Sequence, residues 1–286
     1  MINKSSVIET LKNNGMELEH VSDELKNDKE VVFVAVKQNG MALEYASDEL
    51  KKDKEIVKAA IIAYNFPEKE SLNDEVKRFR EIHKSSILDS YHSESVLEFV
   101  SDELKDDYEI AKCVAENDPY SFDFLGTEMR KNKELAWLAF ENTDFSCDPC
   151  SCLTSEVLDD EEFVLKAVEK EPFVFKEISS RLKCNKEIAL TAIKNGVSLE
   201  YVSDELKKDR DVVLEAVRRN GHQLKYVSEI LKDDLLVVLN AIHSALYNPR
   251  YDRYDNPIIY ASDRIKEYIR THDVGFDTHW QEYLND

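Results

Sequence analysis

Glycine and proline are scarce in this chain, six of each among 286 residues. Their scarcity leaves no long flexible linker and few sharp turns, so most residues are expected inside regular elements. Cysteine is sparse too. Five thiols, odd in number and not spaced as a disulfide framework, imply a reduced, cytoplasmic setting. No apolar run approaches the roughly 20 residues that a membrane-spanning helix needs. Met1-Ile2-Asn3-Lys4 is not followed by the apolar stretch of a secretory signal, and a soluble product is expected. Basic residues are outnumbered, 38 against 59 acidic ones, for a formal charge of −21. A field of that sign repels phosphate backbones and anionic headgroups. It argues against nucleic acid and membrane as partners and leaves a protein with a basic surface as the attracted class.

Catalytic signatures are missing as well. The chain has no G-x-S-x-G, no phosphate-binding glycine loop, no H-E-x-x-H and no calcium loop. Its seven histidines are scattered without ligand spacing. The one dense thiol segment, Cys147-Asp-Pro-Cys150-Ser-Cys152, has three candidate zinc ligands, but Cys150 falls where other copies of a repeat carry leucine. Cys113 lies in the second helix of its unit and Cys184 in a turn. The expectation is a protein that is not an enzyme, with no metal and no cofactor.

What is present is an internal repeat of about 25 residues. It is plainest as LEYASDELKKDKEIVKAAI from Leu43, LEYVSDELKKDRDVVLEAV from Leu199 and LKYVSEILKDDLLVVLNAI from Leu224. The serine of the S-D-E-L core serves as a ruler. Its equivalents are Ser22, Ser47, Ser101, Gly126, Thr154, Ser179, Ser203, Ser228 and Ser262, spaced mostly by 24 to 28 residues, with longer gaps of 54 after Ser47 and 34 after Ser228.

Each unit reads as two short helices. Apolar residues four before, one before and three after the ruler, such as Leu43, Ala46 and Leu50, share one helical face. A polar K-x-D turn follows, and Asp28, Asp53, Asp107 and Asp209 stand at N-cap positions ahead of runs such as Val31 to Val36. Asn39-Gly40, Asn195-Gly196 and Asn220-Gly221 close the runs, with glycine expected in the left-handed conformation that ends a helix. The fold class is all-α, an α-solenoid of two-helix repeats. Repeats at 1–62 and 93–246 flank an irregular helical connector, 63–92, and precede a tyrosine-rich insertion and helical cap, 247–286. The 54-residue interval is read as a break that bends or divides the solenoid.

The S-D-E-L-K-x-D-x-E-V-V core resembles a family of short helical repeats of unknown function whose typical unit runs LEYASEELKNDKEVVLAAVKQNG. The resemblance implies an interaction module and supplies no catalytic residues. Proteins similar to this family occur mainly in intracellular bacteria that inject effectors, in large DNA viruses and in protists. The resemblance therefore implies an effector-like regulator or inhibitor, possible delivery into a host cell, and an effector, toxin or host protein as partner. A multivalent scaffold or chaperone-like adaptor is the second reading, and an enzyme with a cryptic site near the cysteine segment is the third.

A second face carries the candidate binding residues. Tyr45, Tyr201 and Tyr226 stand two before the ruler, and Asp48-Glu49 and Asp204-Glu205 stand one and two after it. On a continuous helix each ring lies beside its acids, so that stacked units form a ladder suited to arginine or lysine. Tyr251 and Tyr254, in the insertion, complete the set.

Overall fold

An aspartate or asparagine ahead of each apolar run starts a long helix. The Asp28 carboxylate accepts from the backbone N–H groups of Glu30 and Val31 at 3.0 and 3.2 Å, and Asp53, Asp107, Asn132, Asn185 and Asp209 repeat the arrangement. These caps satisfy amides that the first helical turn leaves without partners. In this computed structural model, residues 4–65, 95–143, 150, 153–247 and 256–272 are described. The long helices are α1 (Lys4–Asn13), α2 (Lys29–Gln38), α3 (Lys54–Asn65), α4 (Tyr108–Asn117), α5 (Lys133–Asn142), α6 (Glu161–Lys170), α7 (Lys186–Lys194), α8 (Arg210–Arg219), α9 (Leu235–Tyr247) and α10 (Asp263–Thr271). No strand occurs among the described residues. The fold is all-α and built of short helical repeats, in two compact units, Met1–Val157 and Leu158–Asp286.

Each unit has two layers. In the first, α1 to α5 pack in series, and the 3-10 helices Gly15–His20, Gly40–Tyr45, Val96–Phe99 and Pro119–Phe124 pack in a parallel series. In the second, α6 to α9 form one layer, and the 3-10 helices Leu199–Tyr201, Gly221–Tyr226 and Pro257–Tyr260 form the other. The core between layers is the apolar set read from the repeat. Leu18, Leu43, Leu97, Phe122, Phe175, Leu199 and Leu224 are all at most 1% exposed. Each such burial stabilises by about 1.5–3 kcal/mol relative to exposure.

Three details differ from the sequence expectation. The first helix of the repeat is not continuous: a 3-10 helix ends at Tyr45, Ala46 is extended (φ −67°, ψ 155°), and a separate turn forms at Leu50–Lys52. The cause lies outside the segment. The Ser47 backbone N–H donates to the Lys26 carbonyl of the preceding repeat at 3.0 Å, and Gly126 to Lys105, Ser179 to Leu158, Ser228 to Lys207 and Ser262 to Lys232 do the same. An amide used between repeats is not available to close a helical turn.

The glycines are the second correction. Among the described glycines only Gly196 has a positive φ, +100°, in the unit one residue shorter than the 25-residue period. Gly15, Gly40 and Gly221 instead begin 3-10 helices, capped by Asn14, Asn39 and Asn220, and lie against the long helix of their own repeat. A Cβ on Gly40 would sit 2.2 Å from the Ala60 carbonyl oxygen, one on Gly221 2.1 Å from that of Ala241, and one on Gly15 2.3 Å from that of Ala35. Glycine is needed there for close approach between layers.

Third, the long interval after Ser47 does not interrupt the stack. Helices α3 and α4 pack on each other as adjacent long helices do elsewhere, with Lys54 bridged to Asp107 at 2.5 Å and Lys58 to Glu109 at 3.2 Å. The connector expected at 63–92 lies mostly outside the described residues. The insertion behaves similarly, since Ser262 still bonds Lys232 across it.

The ruler serine has its own pattern. Its hydroxyl donates to the residue five beyond the preceding ruler: Ser47 to Asn27 at 2.5 Å, Ser179 to Asp159, and Ser262 to Asp233. Where that acceptor is a lysine, Lys52 or Lys208, the hydroxyls of Ser101 and Ser228 have no hydrogen-bond partner. Gly126 lacks the hydroxyl although Asp106 stands at the acceptor position, and the Asp106 carboxylate fills the space of a Cβ. The Gly126 backbone, at φ −62° and ψ 156°, suits any residue, and the carboxylate is free to rotate away. Gly126→Ser is therefore expected to stabilise the protein by about 1 kcal/mol, through one hydrogen bond and a less flexible unfolded chain. A lower melting temperature for this variant would contradict that account.

Candidate functional site

Seven of the repeats place a ring at the end of their 3-10 helix, at His20, Tyr45, Phe99, Phe124, Tyr201, Tyr226 and Tyr260, and the inter-repeat packing decides which acid lies beside it. Tyr226 donates its hydroxyl to Glu200 of the preceding repeat at 3.3 Å. Tyr45 stands between Glu19 of the preceding repeat and its own Glu44. Burial, followed by the two carboxylates, raises its hydroxyl pKa. The partnering acid is thus three before the ruler, whereas the sequence pointed to the pair just after it. The extended step at Ala46 separates Tyr45 from the turn that carries Asp48 and Glu49, so the single helical face assumed from spacing does not exist.

The predicted residues fall in both units. In the first, Tyr45 is half-buried and Asp48 and Glu49 are exposed, with Glu49 accepting from Asn27 Nδ2 at 3.3 Å. In the second, Tyr201 is 37% exposed, Tyr226 is half-buried, Glu205 is exposed, and Asp204 pairs with Lys207 at 3.1 Å. Tyr251 and Tyr254 lie outside the described residues. The structure therefore joins Tyr45, Tyr201 and Tyr226 each to a neighbouring repeat.

The two units differ at the position three before the ruler. In the first it is Glu19, Glu44, Glu98 and Asp123, all exposed, beside His20, Tyr45, Phe99 and Phe124, while Ser151 lies outside the described residues. In the second it is Lys176, Glu200, Lys225 and Ile259. The Lys176 ammonium lies 4.6 Å from the Tyr201 ring centre and 4.8 Å from that of Phe173, and Lys225 lies 5.4 Å from that of Tyr226. Cation–π contact already engages the second unit's rings, while the first unit sets its rings among carboxylates. Glu19, Glu44 and Glu98 were legible only through the 25-residue spacing, which brings the acid of one copy to the ring of the next.

Acids of the long-helix layer have a different role. In four of the long helices the opening basic residue reaches the capping aspartate of the next repeat: Lys4 to Asp28 at 2.6 Å, Lys29 to Asp53 at 2.9 Å, Lys186 to Asp209 at 2.9 Å and Arg210 to Asp234 at 2.7 Å; Lys54 does the same with Asp107 across the long interval. Those carboxylates join repeat to repeat.

Cys150 is buried at its leucine position, whereas Cys147 and Cys152 lie outside the described residues. Burial, with Glu116 nearby, pushes the Cys113 thiol up to about 11, and Cys184 is exposed in its turn. Alkylation at about pH 8 is expected to mark Cys184 and to leave Cys113 unmodified until the chain unfolds, as read by peptide mass spectrometry. Among the described residues, no group of three or more histidine, cysteine and acidic side chains is placed to hold a metal ion, and no helix is long and apolar enough to cross a membrane.

A family model, the domain of unknown function DUF4116, matches residues 3–51, 35–66, 87–130, 160–207, 186–232 and 209–266. Most of these matches hold two consecutive ruler positions, so the family's unit is a pair of the 25-residue repeats. None of the curated proteins and none of the solved structures matches the chain.

Proposed function

Because the chain belongs to the DUF4116 family, whose model recurs over more than half of it, we propose that it is a noncatalytic protein-binding repeat module that holds a partner through a basic surface. The observation that carries this reading is the edge of the first unit, where the exposed carboxylates of Glu19, Glu44 and Glu98 alternate with the rings of Tyr45 and Phe99. Half-buried rings supply contact area, and the carboxylates select arginine or lysine. The net charge of −21 steers a basic partner toward this edge. In that role the chain acts in a cytoplasm as an effector-like regulator or inhibitor, after delivery into a host cell, by covering the partner's basic surface.

One feature favours a scaffold as the second reading. The equivalent edge of the second unit bears Lys176 and Lys225 beside its rings, so each unit offers its own chemistry to a separate partner.

Binding kinetics against a partner captured from host lysate test the proposal. Glu19→Lys combined with Glu44→Lys and Glu98→Lys is expected to slow association about ten-fold or more at low salt and to change dissociation little. Tyr45→Ala is expected to cost about 1–3 kcal/mol of affinity, mainly through faster dissociation. Unchanged association in the triple variant, with its helicity intact, would remove this edge as the binding surface. Partners lost separately on altering Glu44 and Lys176 would favour the scaffold.

A further inference from the structure

The long-helix layer of the first unit holds a concavity that stacking does not require. Helices α2 and α3 border an open groove of about 550 Å3, with Phe33 and Lys37 on one wall and Ala59, Ile62 and Ala63 on the other. Residues spaced by three and four lie on one face of a helix, so both walls are continuous. The other repeats of this unit show what the stack itself needs. Where α3 has Ile62, α2, α4 and α5 have Lys37, Glu116 and Glu141; where it has Ala63, they have Gln38, Asn117 and Asn142. The stack thus forms with charged or amide residues there. Small residues at Ala59 and Ala63 make the hollow, and Phe33 and Ile62 remain 36% and 45% exposed beside it.

Charge selects the occupant. Of the lysines at the rim, Lys58 is paired with Glu109 at 3.2 Å, and the rim carboxylate of Glu55 is held by Lys29 at 2.5 Å. Lys37 has no carboxylate within ion-pair distance among the described residues, and its ammonium stands 5.5 Å from the Phe33 ring centre. In a chain of charge −21, an apolar hollow lined by two lysines, Lys37 and Lys58, against one carboxylate, Glu55, is a local reversal of sign. We propose that this groove docks an amphipathic helix of a partner protein, its apolar side chains on Phe33 and Ile62 and a carboxylate at its edge on Lys37. The site is separate from the acidic edge of the 3-10 layer and stands whether or not that edge binds a basic partner.

Fluorescence anisotropy with two synthetic helical peptides tests this on the full chain. Both have the same leucines at i and i+4; one is edged with glutamate, the other with lysine. The glutamate-edged peptide is expected to bind about ten-fold tighter, although the overall charge favours the other. Ile62→Glu is expected to abolish binding and Lys37→Glu to reverse the preference, both at unchanged helicity and melting temperature because the altered side chains are exposed. Equal or tighter binding of the lysine-edged peptide, or no binding of either, overturns the proposal. So does a marked fall in melting temperature for Ile62→Glu, which assigns the groove to the chain's own packing.

Discussion

Gly40→Ala and Gly221→Ala are each expected to destabilise their unit by roughly 1–3 kcal/mol, the usual cost of forcing extra volume into a packed layer. The added Cβ meets a helix carbonyl, that of Ala60 or Ala241, at 2.2 and 2.1 Å. Backbone atoms of a packed helix cannot rotate away, so the 3-10 layer must lift off the long helix. Asparagine distinguishes this mechanism from a conformational one. It tolerates the left-handed region, so Gly196→Asn, at φ +100° with open space around its Cβ position, is expected to cost little. Gly40→Asn is expected to cost as much as alanine or more. Chemical denaturation of the four variants decides the matter: equal tolerance of asparagine at both positions would mean that backbone conformation, not contact, selects glycine at Gly40.

The second large effect is expected at the capping aspartates. Asp209→Ala is expected to lose about 1–2 kcal/mol, because the first amides of α8 lose their acceptor and Lys186 loses one of its two bridges, keeping that to Asp211. Asp209→Asn keeps the cap, as Asn132 and Asn185 do in this chain, and is expected to lose only the smaller, screened ion-pair contribution. The same groups set the response to acid. Lys4 holds the Asp28 carboxyl below the ordinary carboxylate range, as Arg210 does for Asp234. Burial opposes the ionisation of Asp53, Asp107 and Asp209, but the lysine of the preceding repeat and the capping amides outweigh it, and all three are lowered. A carboxylate lowered on folding stabilises above its unfolded value, near 4, and that stability is lost as pH falls through the folded value. Lys4, Lys29 and Lys186 are raised by the same contacts, so their contribution holds below about 10.5 and is lost as pH rises beyond it. Melting temperature is expected to fall below about pH 4, and less steeply in Asp209→Asn than in the parent. A parallel fall in both would exclude Asp209 as a contributor.

Part of the candidate surface was readable before any coordinates. The rings recur at one position of the repeat, and their half-buried setting at Tyr45 and Tyr226 agrees with that regularity. Their acidic neighbours were misplaced because a continuous helix was assumed through Ala46 and Ser47. The hydrogen bond from Ser47 to Lys26 breaks that helix and turns Asp48 and Glu49 away from the ring. Ile62 gave no periodic signal, since the other copies carry charged residues or histidine at its position, and Phe33 stands where most copies carry leucine or tryptophan and so did not stand out.

The sequence by itself determined the helical repeat, its apolar core and the capping aspartates Asp28, Asp53, Asp107 and Asp209 that start four of the long helices. Those are local features: a period of 3.6 residues, or a side chain two residues from the amide it caps, is written within one turn of chain. Only the tertiary structure decided where the first helix breaks, why glycine stands at Gly40, how α3 meets α4 across the long interval, and which carboxylate faces which ring or lysine. Each of these depends on contacts between residues about 20 or more apart in the chain, such as Gly40 with Ala60, Lys29 with Asp53 or Tyr226 with Glu200. Such contacts form only when one layer or repeat lies against another, and no spacing within a single turn encodes their geometry.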